Sequence, residues 1–235
     1  MTAVEGFKRR LPIEPTQPDS VVIGIGYPLT DSVYSPQRFI DFRPPLPEGS
    51  EPDPGDQPSG ADDFVAFLDE ALRPFIKSTV FPNVESTRDA LYGHSFGGLL
   101  VIHALLTGPD LFDVFISASP AIMWNDGSIL DEFDTFRNSS DPTCCGTKTK
   151  PALAISYGSL EDVPIRRRAE SEEQFEARRA LIETYNMREN CNRLYERTRG
   201  SPFLRDVVLK EYEGQDHTSV GASAMLDGIE YFVEW

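Results

Sequence analysis

The stretch Leu91-Tyr92-Gly93-His94-Ser95-Phe96-Gly97-Gly98 decides how the rest of the chain is read. It carries the spacing G-x-S-x-G with Ser95 at its centre. A short apolar run, Ala90 to Tyr92, leads in, and a helix-like run, Leu99 to Leu106, leads out. Strand, sharp turn and helix form the context in which this spacing has a mechanical meaning, because the turn lifts a serine hydroxyl to the top of a sheet. The glycines flank Ser95 because side chains there would collide with the neighbouring strand and helix. The helix that follows presents unpaired N–H groups and its positive dipole end beneath a developing oxyanion. Ser95 is therefore a candidate nucleophile, given a base further along the chain.

A serine hydroxyl needs a base to take its proton, and the base needs a carboxylate to fix its tautomer. The chain has three histidines. His94 adjoins Ser95, so its side chain is expected to point elsewhere and pack around the turn. His103 lies among Val101, Ile102 and Leu105 in the helix after Ser95 and reads as a core residue. His217, in Gly214-Gln215-Asp216-His217 after the last strand, is the histidine placed to reach Ser95. The acid is expected between the two, in the order serine, acid, histidine. Gly158-Ser159-Leu160-Glu161-Asp162 offers two adjacent carboxylates after a strand. Glu161 is preferred, with Asp162 the alternative. Asp216 reads as a turn residue.

Outward from the serine turn, apolar runs alternate with helical patterns. Val21–Tyr27, Ala90–Tyr92, Val114–Ala118, Ala152–Tyr157 and a run starting at Val207-Val208-Leu209 read as strands. The first of these is nearly continuous, as a strand buried on both faces would be. Phe64, Leu68, Ala71, Leu72 and Phe75 recur at helical spacing after Ser59, which is expected to cap that helix, and Pro74 is expected to kink its end. Residues 165–199 read as a broken amphipathic helix with a solvated charged face. Val220, Ala224, Met225, Ile229 and Phe232 mark a last helix. Such alternation predicts a mostly parallel sheet with helices on both faces in one domain, residues 1–235, with ligands at the carboxyl ends of the strands. Residues 44–60 contain six prolines and three glycines and read as a flexible loop. Residues 138–150 also read as loop.

Composition narrows the partners. A net charge of −16 argues against a nucleic-acid backbone. No stretch is long and apolar enough to span a bilayer, so no membrane partner is expected. Three cysteines, Cys144, Cys145 and Cys191, form no disulfide framework and suit a reducing, cytoplasmic setting. No pattern of cysteines or histidines suggests a metal site, and no cofactor is expected.

The blocks "VVIGIGYP", "RFIDFRPP", "SGADDFVAFLDEALRPFI", "GHSFGGL", "SPAIMW", "YGSLED" and "EYEGQDHTSV" together resemble, in order, the putative-esterase family of α/β-hydrolases. That family includes esterase D and the ferri-siderophore esterases. The resemblance implies an α/β-hydrolase fold and a serine esterase, with Ser95 as nucleophile and His217 as base. It also implies Glu161 as acid through its G-x-x-E turn, although a serine–histidine dyad is described for some siderophore esterases. The backbone N–H of Phe96 is expected to donate to the oxyanion. The substrate implied is a small-molecule ester, a ferri-siderophore in the nearest subgroup, hydrolysed within iron metabolism. Tyr27 and Trp124 are candidates for framing it, or are plain core aromatics. The alternatives are a general small-acyl esterase or thioesterase of the esterase D type, and a truncated, catalytically impaired relative. In the resembled family a central strand ending in a Leu-Asp-Gly-like turn lies between the counterparts of Val21–Tyr27 and Ala90–Tyr92. Residues 1–20 hold no comparable run, so that strand and the two or so before it are expected to be missing, along with one oxyanion donor. The 235-residue form is accordingly expected to be poorly stable and much less active than an N-terminally extended one.

Overall fold

A computed structural model describes residues 20–28, 35–47, 49–50, 58–138 and 150–234. Residues 48 and 51–57 of the Pro-rich loop, and residues 139–149 with Cys144 and Cys145, lie outside the described residues, so neither loop expectation is decided in full.

The chain opens on an irregular stretch, residues 20–28, followed by the short helix α1, Arg38–Asp41. Helix α2 covers residues 61–80. It is regular over Ala61–Ala66, then alternates with wider turns closed by i→i+5 bonds at Phe67–Leu72 and Ile76–Val80, on either side of Pro74. Strand β1 is Ala90–His94, helix α3 is Phe96–Thr107 and strand β2 is Val114–Ala118. A single tight turn, Trp124–Gly127, precedes α4, Ser128–Asn138. Strand β3 is Ala152–Gly158. Helices α5, Glu172–Glu183, and α6, Met187–Thr198, follow. Strand β4, Asp206–Tyr212, and helix α7, His217–Glu234, complete the described chain.

Among the described residues the sheet has four strands in the order β1-β2-β3-β4, all parallel. Parallel neighbours need a crossover, and the helices supply it. Helix α3 packs on β1 and β2 and α6 on β3 and β4, while α7 lies against β1, β2 and β3. The two faces are readable in β2, where Phe115 points into the larger core and Val114, Ile116 and Ala118 point toward α7. Both central strands are buried almost throughout, which explains their unbroken apolar sequences. Helix α3 is buried from Gly97 to Leu105, all round, because the sheet covers one side and α2 and α4 the other. No described helix is long and apolar enough to cross a membrane.

Three local expectations are corrected. First, Val21–Tyr27 is not a strand: among the described residues it pairs with no other segment, and Val21, Val22, Ile23 and Ile25 are exposed. A strand exists only with a neighbour to share its N–H and C=O groups, and among the described residues β1 has no strand on the side away from β2. Second, Ser59 does not cap α2. The N-cap is Gly60 without a side-chain bond, and the α1 region supplies the acceptors, Ile40 O to Gly60 N at 2.9 Å and Arg43 O to Ala61 N at 3.2 Å. This ties the α1 segment to the core. Third, the broken helix of residues 165–199 buries a face only in its second half. Met187, Cys191 and Leu194 are buried in α6, whereas α5 buries no residue and exposes Leu181. The break is Asn186, in the left-handed region at φ 44°.

Candidate active site

Ser95 sits between β1 and α3 at φ 61° and ψ −121°, a conformation that costs a non-glycine residue energy and persists only under constraint. The constraint is visible. Ser95 N–H donates to Ala118 O at 3.0 Å, and Ser95 C=O accepts from Leu99 N at 3.0 Å and Ala121 N at 3.1 Å. A side chain at Gly93 would overlap the Gly97 carbonyl, and a Cβ at Gly98 would lie 2.9 Å from Ala118 O. Both are backbone oxygens that cannot swing aside, so glycine is required at these two positions. Phe96 N–H is the first of α3 and reaches no carbonyl within the helix.

His217 is the first residue of α7. Asp216 holds that helix start by accepting from Thr218 N at 3.1 Å and Ser219 N at 2.9 Å. The Ser219 backbone bond leads the causes that keep the Asp216 carboxyl below its ordinary value. These bonds place Asp216 in a turn role, as its position implies. His217 Nε2 lies 3.0 Å from Ser95 Oγ, and His217 Nδ1 lies 2.6 Å from Glu161 Oε2. With Glu161 ionised, Nδ1–H donates to the carboxylate and the Nε2 lone pair faces the serine hydroxyl.

Glu161 is only 6% exposed. Its second oxygen, Oε1, accepts from Gly158 N–H at 2.6 Å and from the Ser119 hydroxyl at 2.5 Å. A buried carboxylate needs such partners, since desolvation of the charge is otherwise costly. Ser119, the first letter of the block "SPAIMW", carries no role in the sequence pattern. It is fully buried at φ 42°. A serine at the carboxyl end of the strand next to the nucleophile strand is the signal that was available.

The structure brings Ser95, His217 and Glu161 together and separates Asp162 from them. Asp162 accepts from Met187 N at 2.7 Å and Arg188 N at 2.8 Å, so it caps α6, whose own N-cap residue makes no side-chain bond. His103 is buried and bonded to Asp62 at 2.7 Å, away from the site. His94 does not simply pack around the turn: its ring faces that of His217, with centroids 4.6 Å apart. Burial, then the charge of His217, pulls the His94 pKa down to about 4. Tyr27 donates to Asp41 Oδ2 at 2.8 Å and packs on Phe42, and its phenol is raised by burial and by Asp41. Trp124 meets Phe96 nearly edge-on at 6.2 Å, with the Arg43 guanidinium 4.2 Å above its ring. Phe39 also meets Phe96 edge-on, at 5.7 Å. An aromatic and cationic wall thus adjoins the serine; Trp124 belongs to it, whereas Tyr27 packs on Phe42.

A hydroxyl, an imidazole and a buried carboxylate in line are equipped for acyl transfer. No group of three or more metal-ligating side chains is gathered among the described residues.

A parallel sheet crossed by helices on both faces, with these side chains at the carboxyl ends of its strands, is the architecture of an α/β-hydrolase. The chain belongs to the family described as "Putative esterase", whose model matches residues 22–199. His217 lies outside that match, and its contacts with Ser95 and Glu161 are what place it in the site. The chain is 42% identical to a siderophore enterobactin esterase of Emericella nidulans over 237 residues, covering 98% of this chain and 77% of that one. It is 35% identical to a siderophore triacetylfusarinine C esterase of Aspergillus fumigatus, covering 100% of this chain and 77% of that protein. Among solved structures, siderophore hydrolase EstA from Aspergillus nidulans superposes with a TM-score of 0.89 at 41% identity, over 99% of this chain and 78% of that one.

Proposed function

We propose that the protein is a serine esterase that opens carboxylic ester bonds of a ferri-siderophore in the cytoplasm, releasing its iron for use. The observation that carries the chemistry is the line of contacts Ser95 Oγ–His217 Nε2, 3.0 Å, and His217 Nδ1–Glu161 Oε2, 2.6 Å. The similarity to siderophore esterases supports the substrate class. So does the wall of Arg43, Trp124, Phe96 and Phe39, which offers flat apolar surface and positive charge to a bulky anionic complex. The free, buried Cys191 suits a reducing compartment.

In this mechanism Ser95 Oγ attacks the ester carbonyl carbon as its proton passes to His217 Nε2. Glu161 stabilises the imidazolium and keeps the ring in register. Phe96 N–H donates to the oxyanion. The C–O bond to the alcohol then breaks, and Nε2 returns its proton to the leaving alkoxide. A water next gives a proton to His217 and attacks the acyl-serine, freeing the acid and restoring Ser95. One ester and one water become one acid and one alcohol.

A fluorophosphonate probe is expected to label the protein and not Ser95→Ala, and equal labelling of both overturns the nucleophile. A ferri-siderophore triester is expected to be turned over with a higher kcat/KM than a p-nitrophenyl ester. A preference for small acyl esters instead identifies a general esterase with the same machinery.

A further inference from the structure

His217 presents an unusual problem for a base. Its side chain is 42% exposed, whereas its partner Glu161 is buried. A single hydrogen bond at Nδ1 fixes one atom but leaves the ring free to pivot about that contact, and any pivot swings Nε2 away from Ser95. Something must hold the face of the ring.

We propose that His94, the residue between Gly93 and Ser95 in the G-x-S-x-G turn, is a positioning residue that acts as the floor for the ring of His217. The inference rests on the function proposed above. Its ring lies 4.6 Å from that of His217, centroid to centroid, tilted by 41°. The opposite side is prepared for it. Gly221, on the next turn of α7, faces His94, and a Cβ there would stand 3.3 Å from the imidazole carbons. The carbonyl of the same Gly221 accepts from the Tyr92 hydroxyl at 2.5 Å. Residues 92 and 94 of β1 therefore clasp the first two turns of α7 to the strand that leads into Ser95.

The chemical identity of His94 matters as well as its shape. Its Nε2 is buried without a partner among the described residues, an arrangement with an energetic cost that a phenylalanine at the same place would avoid. What the imidazole adds is a ring that can carry a proton directly beneath the ring of His217. The charged and titratable groups acting on it are His217, Glu161 and Arg38. Burial and the His217 charge outweigh Glu161, so the floor is neutral at physiological pH and does not oppose the imidazolium formed above it.

The test compares wild type, Ser95→Ala, His94→Ala, His94→Phe and Gly221→Ala. The readouts are rate of fluorophosphonate labelling, kcat and KM on a p-nitrophenyl ester, and thermal unfolding. Labelling that does not depend on Ser95 overturns the nucleophile assignment itself, whatever the other variants do. Where labelling does depend on Ser95, His94→Ala is expected to slow labelling and lower kcat by about 10–100-fold at little changed KM, as a misplaced catalytic group does. His94→Phe keeps a ring under His217 and is expected to recover part of that loss. Gly221→Ala, which leaves His94 in place but crowds it, is expected to slow labelling too. A folded His94→Ala that labels at the wild-type rate overturns the proposal. If His94→Ala does not fold, Gly221→Ala decides: wild-type labelling there overturns it equally.

Discussion

Val22 and Val114 are the same residue type in two apolar runs of similar length, yet one is 42% exposed and the other wholly buried. Val114 begins β2, which has β1 on one side and β3 on the other. Val22 lies in a stretch, 20–28, that pairs with no strand among the described residues, although Val21-Val22-Ile23-Gly24-Ile25 is as apolar as the described strands. Strand sequence reports suitability for a pleated, buried surface, and the surface must be provided by neighbours. From β1 onward each strand finds its neighbour in the next one along the chain, and the side chains of the site stand on the ends of those strands. Before β1 the apolar letters are present without a ladder.

The largest effect expected on the paired side comes from the reacting groups. Ser95→Ala and His217→Ala should each lower ester turnover by about 10⁴–10⁶-fold while leaving cooperative unfolding intact. Turnover and calorimetry on the same samples check this, and a mild loss in either variant would move the chemistry elsewhere.

Next comes the acid. Glu161→Gln should lower kcat by about 10²–10⁴-fold, since the amide can present the wrong tautomer to His217. Asp162→Asn should leave kcat nearly unchanged and remove about 1 kcal/mol of stability, because its bonds cap α6. Kinetics and denaturant melts separate the two, and a reversed pattern would shift the acid by one residue.

A third expectation concerns pH. The folded-state pKa of His94 is depressed to about 4, against an ordinary value near 6.5. Between those values the unfolded chain binds more protons, so stability rises with pH there. The contribution is complete above about pH 6.5 and is lost as pH falls towards about 4, amounting to as much as about 3 kcal/mol. Denaturant melts across this window should show a shallower slope in His94→Phe. An identical slope would mean that His94 titrates freely and is not held under His217.

The smallest effects test the opening contrast directly. Val114→Thr should cost about 1–3 kcal/mol by burying a hydroxyl in an apolar layer, whereas Val22→Thr should stay within about 0.5 kcal/mol. Matching losses at both positions would show that the 21–25 run is covered in solution, and would erase the contrast.

Much of this was legible in the letters. Four of the five apolar runs became strands, with Val114–Ala118 in its expected bounds, because each had both the pattern and a neighbour. The run at 21–27 had the pattern alone. Ser95 and His217 stood out because turn chemistry and position after a strand are local properties of sequence. Glu161 and Asp162, adjacent and chemically alike, were harder to tell apart, since the difference lies in which backbone each one faces. Ser119 and His94 stayed hidden for a related reason. Each matters through a partner far along the chain, Ser119 through a carboxylate 42 residues on and His94 through a ring on α7. No periodicity encodes such a meeting.

The sheet order β1-β2-β3-β4 repeats the order of synthesis. Each strand leaving the ribosome can add to a neighbour already made, without waiting for a later segment. The proposed base is the exception: His217 is separated from Ser95 by 122 residues and stands on the last helix described. At roughly 5–20 residues per second, it is made several seconds after the serine. Through that interval the nascent chain carries a strained serine with no base to activate it. On the proposed mechanism the hydroxyl is therefore silent through that interval and is switched on only when α7 docks against β1.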